Sequence, residues 1–475
     1  MAILDTAVDP RAAWNLTNRA AMLDGLAELD GALDAARAGG GERDVTRHHA
    51  RGKLLPRERI ELLVDQDSPF LELSPVAGWG TDSPTGAGLV TGIGVVENVE
   101  CVLIADDPTV RGTAGNPYAA GKAARAGEIA LANRLPLITL VENGEDAPPY
   151  DGDPCGGRGA VPRDLARLSA ARVPTVSAVF GGATGAHALV PALSDFTVLV
   201  RNQARVFLAG PARGAGGEEA VGGAAMHAGR SGLADFIAED ERDGLRIVRQ
   251  CVRRLNWHKQ GPPPRDTFPA PPRHSVEDLL AVPGADPGAP LDPREILGRV
   301  LDGSEFDEFK PAYGPALVAG WGGLHGYPVA VLATGRGPVD SAEAQKGAHF
   351  VQLANAAATP LLHVEHAGRY AGGADAAQRG LVKHGAMLVN AIATAGVPQL
   401  VVTVGDPDDA TARAWDPRFR FSWPSADGRA LARSGRLGDD GVIDPRDTRT
   451  VLGLCLSALH TAPVGGPGGF GVFRL

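Results

Sequence analysis

Leu135-Pro136-Leu137-Ile138 and Val173-Pro174 through Gly181 return later in the chain as Thr359-Pro360-Leu361-Leu362 and Val397-Pro398 through Gly405, and in both cases the prolines lie 224 residues apart (360 − 136 and 398 − 174). A constant offset at two separate anchors marks an internal duplication, which fixes the architecture before any single motif is weighed. Upstream of each copy, Gly92-Ile93-Gly94 precedes the apolar run Cys101 to Ala105, and Gly320-Trp321-Gly322 precedes Val329 to Ala333, the pattern of paired strands joined by a tight turn. Alanine-rich stretches follow, Pro117 to Asn133 and Ser341 to Ala357, each ending just before the proline that opens a β-rich run, and these predict helices. Helices over 160–172 and 375–395 then lead into the second matched strands. Strands alternating with helices of this length predict two tandem α/β domains with crossover connections and largely parallel pairing. The expected division is residues 1–265 and 266–475. A Pro-rich linker over 261–293 cannot sustain a helix or central strand throughout, because proline lacks the N–H and fixes φ.

Composition narrows the function. With 475 residues, 44% hydrophobic and 21% charged, the chain has the make-up of a globular protein large enough for two cores. A net charge of −10 with no concentrated Lys/Arg tract argues against a nucleic-acid partner. The N-terminus shows no basic region followed by an apolar core, so no signal peptide is expected. The longest apolar stretch, Met387 to Gly405, is interrupted by Asn390 and Pro398, so no membrane association is expected either, and the predicted location is cytoplasmic. Cys101, Cys155, Cys251 and Cys455 are scattered without paired spacing, which suggests neither a metal cluster nor a disulfide framework.

The segment Arg47-His48-His49-Ala50-Arg51-Gly52-Lys53-Leu54-Leu55-Pro56-Arg57-Glu58-Arg59-Ile60 resembles the N-terminal signature of the propionyl-CoA and methylcrotonyl-CoA carboxylase beta subunits. So do Val190-Pro191-Ala192-Leu193-Ser194-Asp195, Gly303-Ser304-Glu305-Phe306-Asp307-Glu308-Phe309-Lys310, Lys346-Gly347-Ala348-His349-Phe350, Asp416-Pro417-Arg418-Phe419 with Trp423-Pro424, and Asp440-Gly441-Val442-Ile443-Asp444-Pro445-Arg446. The chain is thereby identified as a divergent member of the carboxyltransferase (beta) subunit family of biotin-dependent acyl-CoA carboxylases. The resemblance implies two crotonase-like domains and assembly as a hexamer or another homo- or hetero-oligomer. It also implies a coenzyme A or acyl-carrier-protein thioester as substrate. Amides of the first domain would hold the acyl enolate, and amides of the second the ureido oxygen of carboxybiotin. The chain has no Ala-Met-Lys-Met signature, so biotin is expected on a separate carrier protein. A biotin carboxylase/carrier subunit, or a paralogous carboxyltransferase, is the expected protein partner.

The departures from the family pattern locate the candidate site residues. Ala186-His187 occupy the usual Gly-Gly pair of the loop that begins Gly181-Gly182, so Gly185, Ala186 and His187 are the candidate oxyanion contacts of the first domain. His187 is a candidate general acid or base, against the alternative that it points away from the pocket. Glu142-Asn143-Gly144-Glu145-Asp146 replaces an Asp-Ser-Gly-Gly-Ala loop, which places Glu142 and Gly144 with Gly181 and Gly182 among the substrate-binding candidates. In the second domain Glu365-His366-Ala367-Gly368-Arg369-Tyr370-Ala371-Gly372 resembles its family counterpart, giving Gly368 and Gly372 as catalytic and Glu365 and His366 as binding candidates. Glu142 and Glu365 end matched strands, where ligands gather in α/β sheets, or else serve as capping or ion-paired residues. After Gly405 the family's glycine-rich loop is replaced by Asp406-Pro407-Asp408-Asp409-Ala410, and Pro407 has no N–H to offer an oxyanion. Lys346 and His349, three apart on a helix, are expected on a solvated or interface face. The Arg47 to Arg59 cluster suits CoA phosphates or, equally, a helix packed on a neighbouring subunit. Three functions follow: carboxyl transfer to an acyl thioester through an oxyanion-stabilised enolate, a biotin-independent decarboxylase or C–C bond-forming enzyme, or a non-catalytic partner of an intact carboxyltransferase.

Overall fold

The computed structural model describes residues 2–111, 115–142, 161–209, 217–284, 290–366, 369–405, 415–466 and 472. The chain opens with a short strand, β1 (Ala2–Ile3), and a long helix, α1 (Ala13–Arg37), followed by α2 (Glu42–His49) and α3 (Pro56–Leu63). Strands β2 (Phe70–Leu73), β3 (Leu89–Val96) and β4 (Val99–Asp106) precede α4 (Pro117–Asn133), β5 (Leu137–Val141), α5 (Val161–Ala170), β6 (Thr175–Val179) and β7 (Gly182–Thr184). Next come α6 (Leu189–Ala192), β8 (Phe196–Val200), β9 (Arg205–Phe207), α7 (Glu218–Gly222), α8 (Ala224–Met226), β10 (Phe236–Ala238) and α9 (Glu241–Arg254). The second half repeats the scheme with α10 (Pro293–Val300), β11 (Glu305–Glu308), β12 (Val318–Leu324), β13 (Tyr327–Ala333), α11 (Ser341–Ala356) and β14 (Leu361–Glu365). It continues through α12 (Ala374–Gln378), α13 (Leu381–Ala393), β15 (Gln399–Thr403) and β16 (Phe419–Ser422) to a C-terminal helix, Thr448–Leu459.

The two compact units are residues 31–258 with 432–438, and residues 1–30 with 259–431 and 439–475. The first 30 residues, expected with the first domain, group with the second half because β1 adds to the edge of β11, pairing Ala2 with Phe306 and Ile3 with Glu305. His274 Nε2 lies 2.7 Å from the Leu4 carbonyl and reinforces the attachment. Residues 432–438 belong with the first half, where the Gly435 carbonyl accepts the Gly78 N–H at 2.7 Å.

Each unit carries a seven-stranded sheet, in the order β10-β8-β6-β5-β4-β3-β2 in one and β1-β11-β12-β13-β14-β15-β16 in the other. The duplication survives in the register. Val102 pairs with Leu137 and Leu137 with Thr175 in the first sheet, while Ala330 pairs with Leu361 and Leu361 with Gln399 in the second. Two antiparallel ladders in the first sheet and three in the second feed a parallel run, and the central strands β5, β6, β14 and β15 are buried along their whole length. That burial explains the nearly continuous apolar run of β5, and why polar side chains on these strands are paired across them, Thr139 with Ser177, His363 with Gln399 and Thr403 with Glu365.

Local chemistry sets the helix limits. Asn116 caps α4 by accepting the Tyr118 N–H at 2.9 Å, Pro117 supplies the preorganised first turn, and Arg134 ends it in the left-handed region at φ 55°. The helix expected over 375–395 is instead two pieces, because Gly380 sits at φ 85° between them. The Pro-rich stretch holds one short 3-10 turn, Val276–Leu280, whose Leu279 and Leu280 are fully buried, so part of the linker joins the core of its unit.

Candidate active site

In the unit of residues 31–258 the carboxyl ends of β4, β5 and β6 converge on a charged cluster. Asp106 closes β4, and its Oδ2 accepts the Glu142 N–H at 3.1 Å just beyond the end of β5. The Glu142 side chain is only 6% exposed, and its carboxylate is taken by Lys53 Nζ on one oxygen and Arg59 Nη2 on the other. Lys53 also donates to the Phe180 carbonyl at 2.9 Å. Arg59, fully buried, donates through Nε and Nη2 to both oxygens of Glu241 at 2.9 Å each, and its guanidinium stacks 4.5 Å from the Phe180 ring centroid. The charges of Lys53 and Arg59 therefore balance those of Glu142 and Glu241. Burial alone would raise the Glu142 carboxyl, but the Arg59 and Lys53 charges outweigh it and hold the group below the usual carboxylate range. Asp106 goes the other way: burial raises it, the nearby Glu142 charge adds to that, and His187 and Arg59 only partly offset the rise.

Gly181 is required where it stands, since a Cβ would lie 2.7 Å from Glu142 Cγ. Gly182 begins β7, which leads into a single 3-10 turn, Gly185–Ala188. Gly185 adopts φ 62° with no atom of the described residues within 4 Å of where a side chain would begin, Ala186 is exposed, and His187 is half-buried. This turn therefore faces open space at the same sheet edge. Gly144 lies outside the described residues.

The corresponding edge of the other unit has the same skeleton and different chemistry. Thr334 Oγ1 accepts the His366 N–H at 3.1 Å, as Asp106 does for Glu142; the matched positions are 142 + 224 = 366 and 106 + 228 = 334. Glu365 is thus the counterpart of Val141 rather than of Glu142, and a one-residue shift on a strand places it on the opposite face. It is buried, with Thr403 Oγ1 donating to its Oε2 at 3.2 Å. His366 is also buried and lines a cleft with Asn18, Met22, Gly405, Pro424 and Ser425. The equivalent of Arg59 on α10 is Ile296, so this position brings no guanidinium to the edge. Gly372 is exposed and does not line the cleft, while Gly368 and the 406–410 segment lie outside the described residues.

One expectation is corrected. Lys346 is fully buried, not solvated: its Nζ donates to the carbonyls of Gly314 at 3.3 Å and Leu317 at 2.7 Å. Its repeat partner Lys122 (346 − 122 = 224) does the same to Gly86 at 3.3 Å and Leu89 at 2.5 Å. Burial lowers both amines, Lys122 to about 8. His349 is half-buried, with Lys310 Nζ 3.2 Å from its Nδ1. Within the basic segment 47–59, Lys53 and Arg59 anchor the site edge, Arg57 forms a two-point pair with Glu72, and Arg47 and Arg51 stay exposed. Asp106 and Glu241 were not foreseen, since a lone acid at a strand or helix end carries no spacing signal.

The carboxyl transferase domain family profile matches residues 47–435. The chain is 45% identical to the probable biotin-dependent acyl-coenzyme A carboxylase beta2 subunit of Mycobacterium tuberculosis (strain ATCC 25618 / H37Rv), covering all of both chains. That alignment runs over 531 positions against 475 residues here, so 56 positions (531 − 475) face a gap in this chain. It is 39% identical to the biotin-dependent 3-methylcrotonyl-coenzyme A carboxylase beta1 subunit of the same organism, over 95% of this chain and 96% of the relative. Among solved structures, the geranyl-CoA carboxylase beta subunit of P. aeruginosa superposes with a TM-score of 0.88 at 32% identity over the full length of both.

Proposed function

This chain belongs to the carboxyl transferase family, and on that premise we propose that it is the carboxyltransferase (beta) subunit of a biotin-dependent acyl-CoA carboxylase acting on a coenzyme A thioester. The observation that supports a catalytic role most directly is the turn 185–188. It stands at the carboxyl edge of a parallel sheet, where α/β proteins bind ligands, and Gly185 opens onto unfilled space. The thioester oxygen sits against the Gly185, Ala186 and His187 amides. As the α-carbon loses its proton, the charge developing on that oxygen is met by fixed dipoles, each worth roughly 3 kcal/mol in such sites. Lys53 and Arg59 neutralise Glu142, so that this carboxylate does not oppose the developing enolate. Biotin on a separate carrier supplies the activated carboxyl group, and the cleft of His366, Asn18 and Ser425 with apolar Met22 and Pro424 suits a small ring with a polar edge. A biotin carboxylase/carrier subunit would deliver it, and the working assembly is an oligomer.

Decarboxylation of malonyl-CoA and methylmalonyl-CoA by the purified chain, with and without free biotin, tests this. Biotin-dependent loss of the carboxyl group is expected. Loss without biotin would instead identify a repurposed decarboxylase, and no turnover of either thioester would point to a partner subunit or to a different acyl substrate.

A further inference from the structure

Five histidines lie in residues 31–258, and four have their rings engaged: His48 with the Leu54 carbonyl, His49 with Glu58, His227 with the Val206 carbonyl and Ser231, and His258 with Asn256. The His187 ring has no hydrogen bond among the described residues, although the residue is half-buried at the sheet edge. The acids there divide in the same way. Glu142 and Glu241 are each held by buried cations, whereas Asp106 makes no ion pair among the described residues and accepts only the Glu142 N–H. An unspent imidazole and an unspent carboxyl thus occupy one edge, beside a turn that faces open space.

We infer that His187 is a general base and acid for the acyl thioester, and that Asp106 is the positioning residue that supports it. This rests on the acyl-thioester function proposed above. In the step, the C–H bond at the α-carbon, or at the vinylogous γ-carbon of an unsaturated acyl group, breaks. Its electron pair moves into the thioester as an enolate, and the proton passes to the imidazole. The resulting imidazolium is offset by the Asp106 carboxylate, and the proton returns to carbon from the same ring. Asp106 is close enough for His187 to favour its ionised form, and no nitrogen of His187 comes within 4.0 Å of its oxygens, so the two interact through space rather than by contact. Among the described residues, Glu142, Arg59, Lys53 and His48 also lie at this edge; the first three are paired with one another or with Glu241, and His48 Nε2 lies 4.0 Å from Glu142. The step needs no biotin, so the chain exchanges substrate protons with solvent on its own.

The test is deuterium incorporation into 3-methylcrotonyl-CoA and propionyl-CoA by the purified full chain in heavy water without biotin, read by mass spectrometry, with thioester binding measured in parallel by calorimetry. Wild-type exchange is expected. His187→Gln should slow it roughly 100-fold or more with binding retained, and should remove the rising limb of the pH profile. Asp106→Asn should keep binding, slow exchange and move that limb, which a purely structural role would not do. Binding without wild-type exchange, or exchange unchanged in His187→Gln, overturns the inference while leaving the carboxyltransferase function standing. Absence of binding to either thioester overturns both.

Discussion

At the scale of single residues, the decisive feature is how completely charge is paired behind the candidate site. Arg59 is fully buried, yet its Nε and Nη2 serve two carboxylates. Breaking such a pair leaves an uncompensated buried charge and costs about 3–5 kcal/mol. Glu142→Ala should therefore lower the unfolding free energy by about that amount in urea titration, and a loss below about 1 kcal/mol would show that the pair contributes no more than a surface one. The pH dependence has a definite sign. Glu142 is held below its ordinary range in the folded state, so its contribution is complete above about pH 4.3 and disappears as pH falls below that. The acid limb of the stability curve should flatten in the variant. His187 drew notice from sequence because it replaces a glycine, whereas Asp106 became visible only when β4 and β5 were brought edge to edge.

At the scale of elements, the duplication has kept two devices. Arg57 on α3 grips Glu72 of β2, and Arg294 on α10 grips Glu308 of β11, each through Nε and Nη2. Lys122 on α4 and Lys346 on α11 each reach two carbonyls of the segment that enters β3 or β12. A lysine at helical spacing ordinarily extends into solvent. These two turn inward because backbone carbonyls at the turn and the residue leading into or opening the strand take up their ammonium protons. With Lys122 lowered to about 8 from an ordinary value near 10.4, the unfolded chain binds more protons between those values, so stability rises with pH across that window and is constant below it. The rise attributable to Lys122 is about 3 kcal/mol. It should appear as a difference between wild type and Lys122→Met in denaturation from pH 7.5 to 10, and parallel curves would show that the amine is not desolvated as described.

At the scale of the whole molecule, two sheets of the same order and register have diverged at their carboxyl edges. One places Asp106, Glu142, Lys53 and Arg59 there; the other places Thr334, His366 and Ile296 at the positions matching Asp106, Glu142 and Arg59. Divergence confined to equivalent positions is how one duplicated fold comes to handle two ligands. His366→Ala should lower biotin-dependent decarboxylation of malonyl-CoA about tenfold or more while leaving thioester affinity within about twofold. Equal loss of both would mean that the two edges do not divide the work.

The sequence by itself determined the duplication, the order of strands and helices, and the family, because period, proline placement and apolar runs are local properties of the chain. It did not determine which charges are spent. The 1–30 segment joins the second half through two residues of β1, Lys346 and Lys122 turn inward onto carbonyls, and Arg59 neutralises acids 83 and 182 residues away. Pairings over such separations leave no spacing in the sequence. The free energy that selects them, desolvation balanced against a partner's charge, exists only once the chain has folded and water has been excluded.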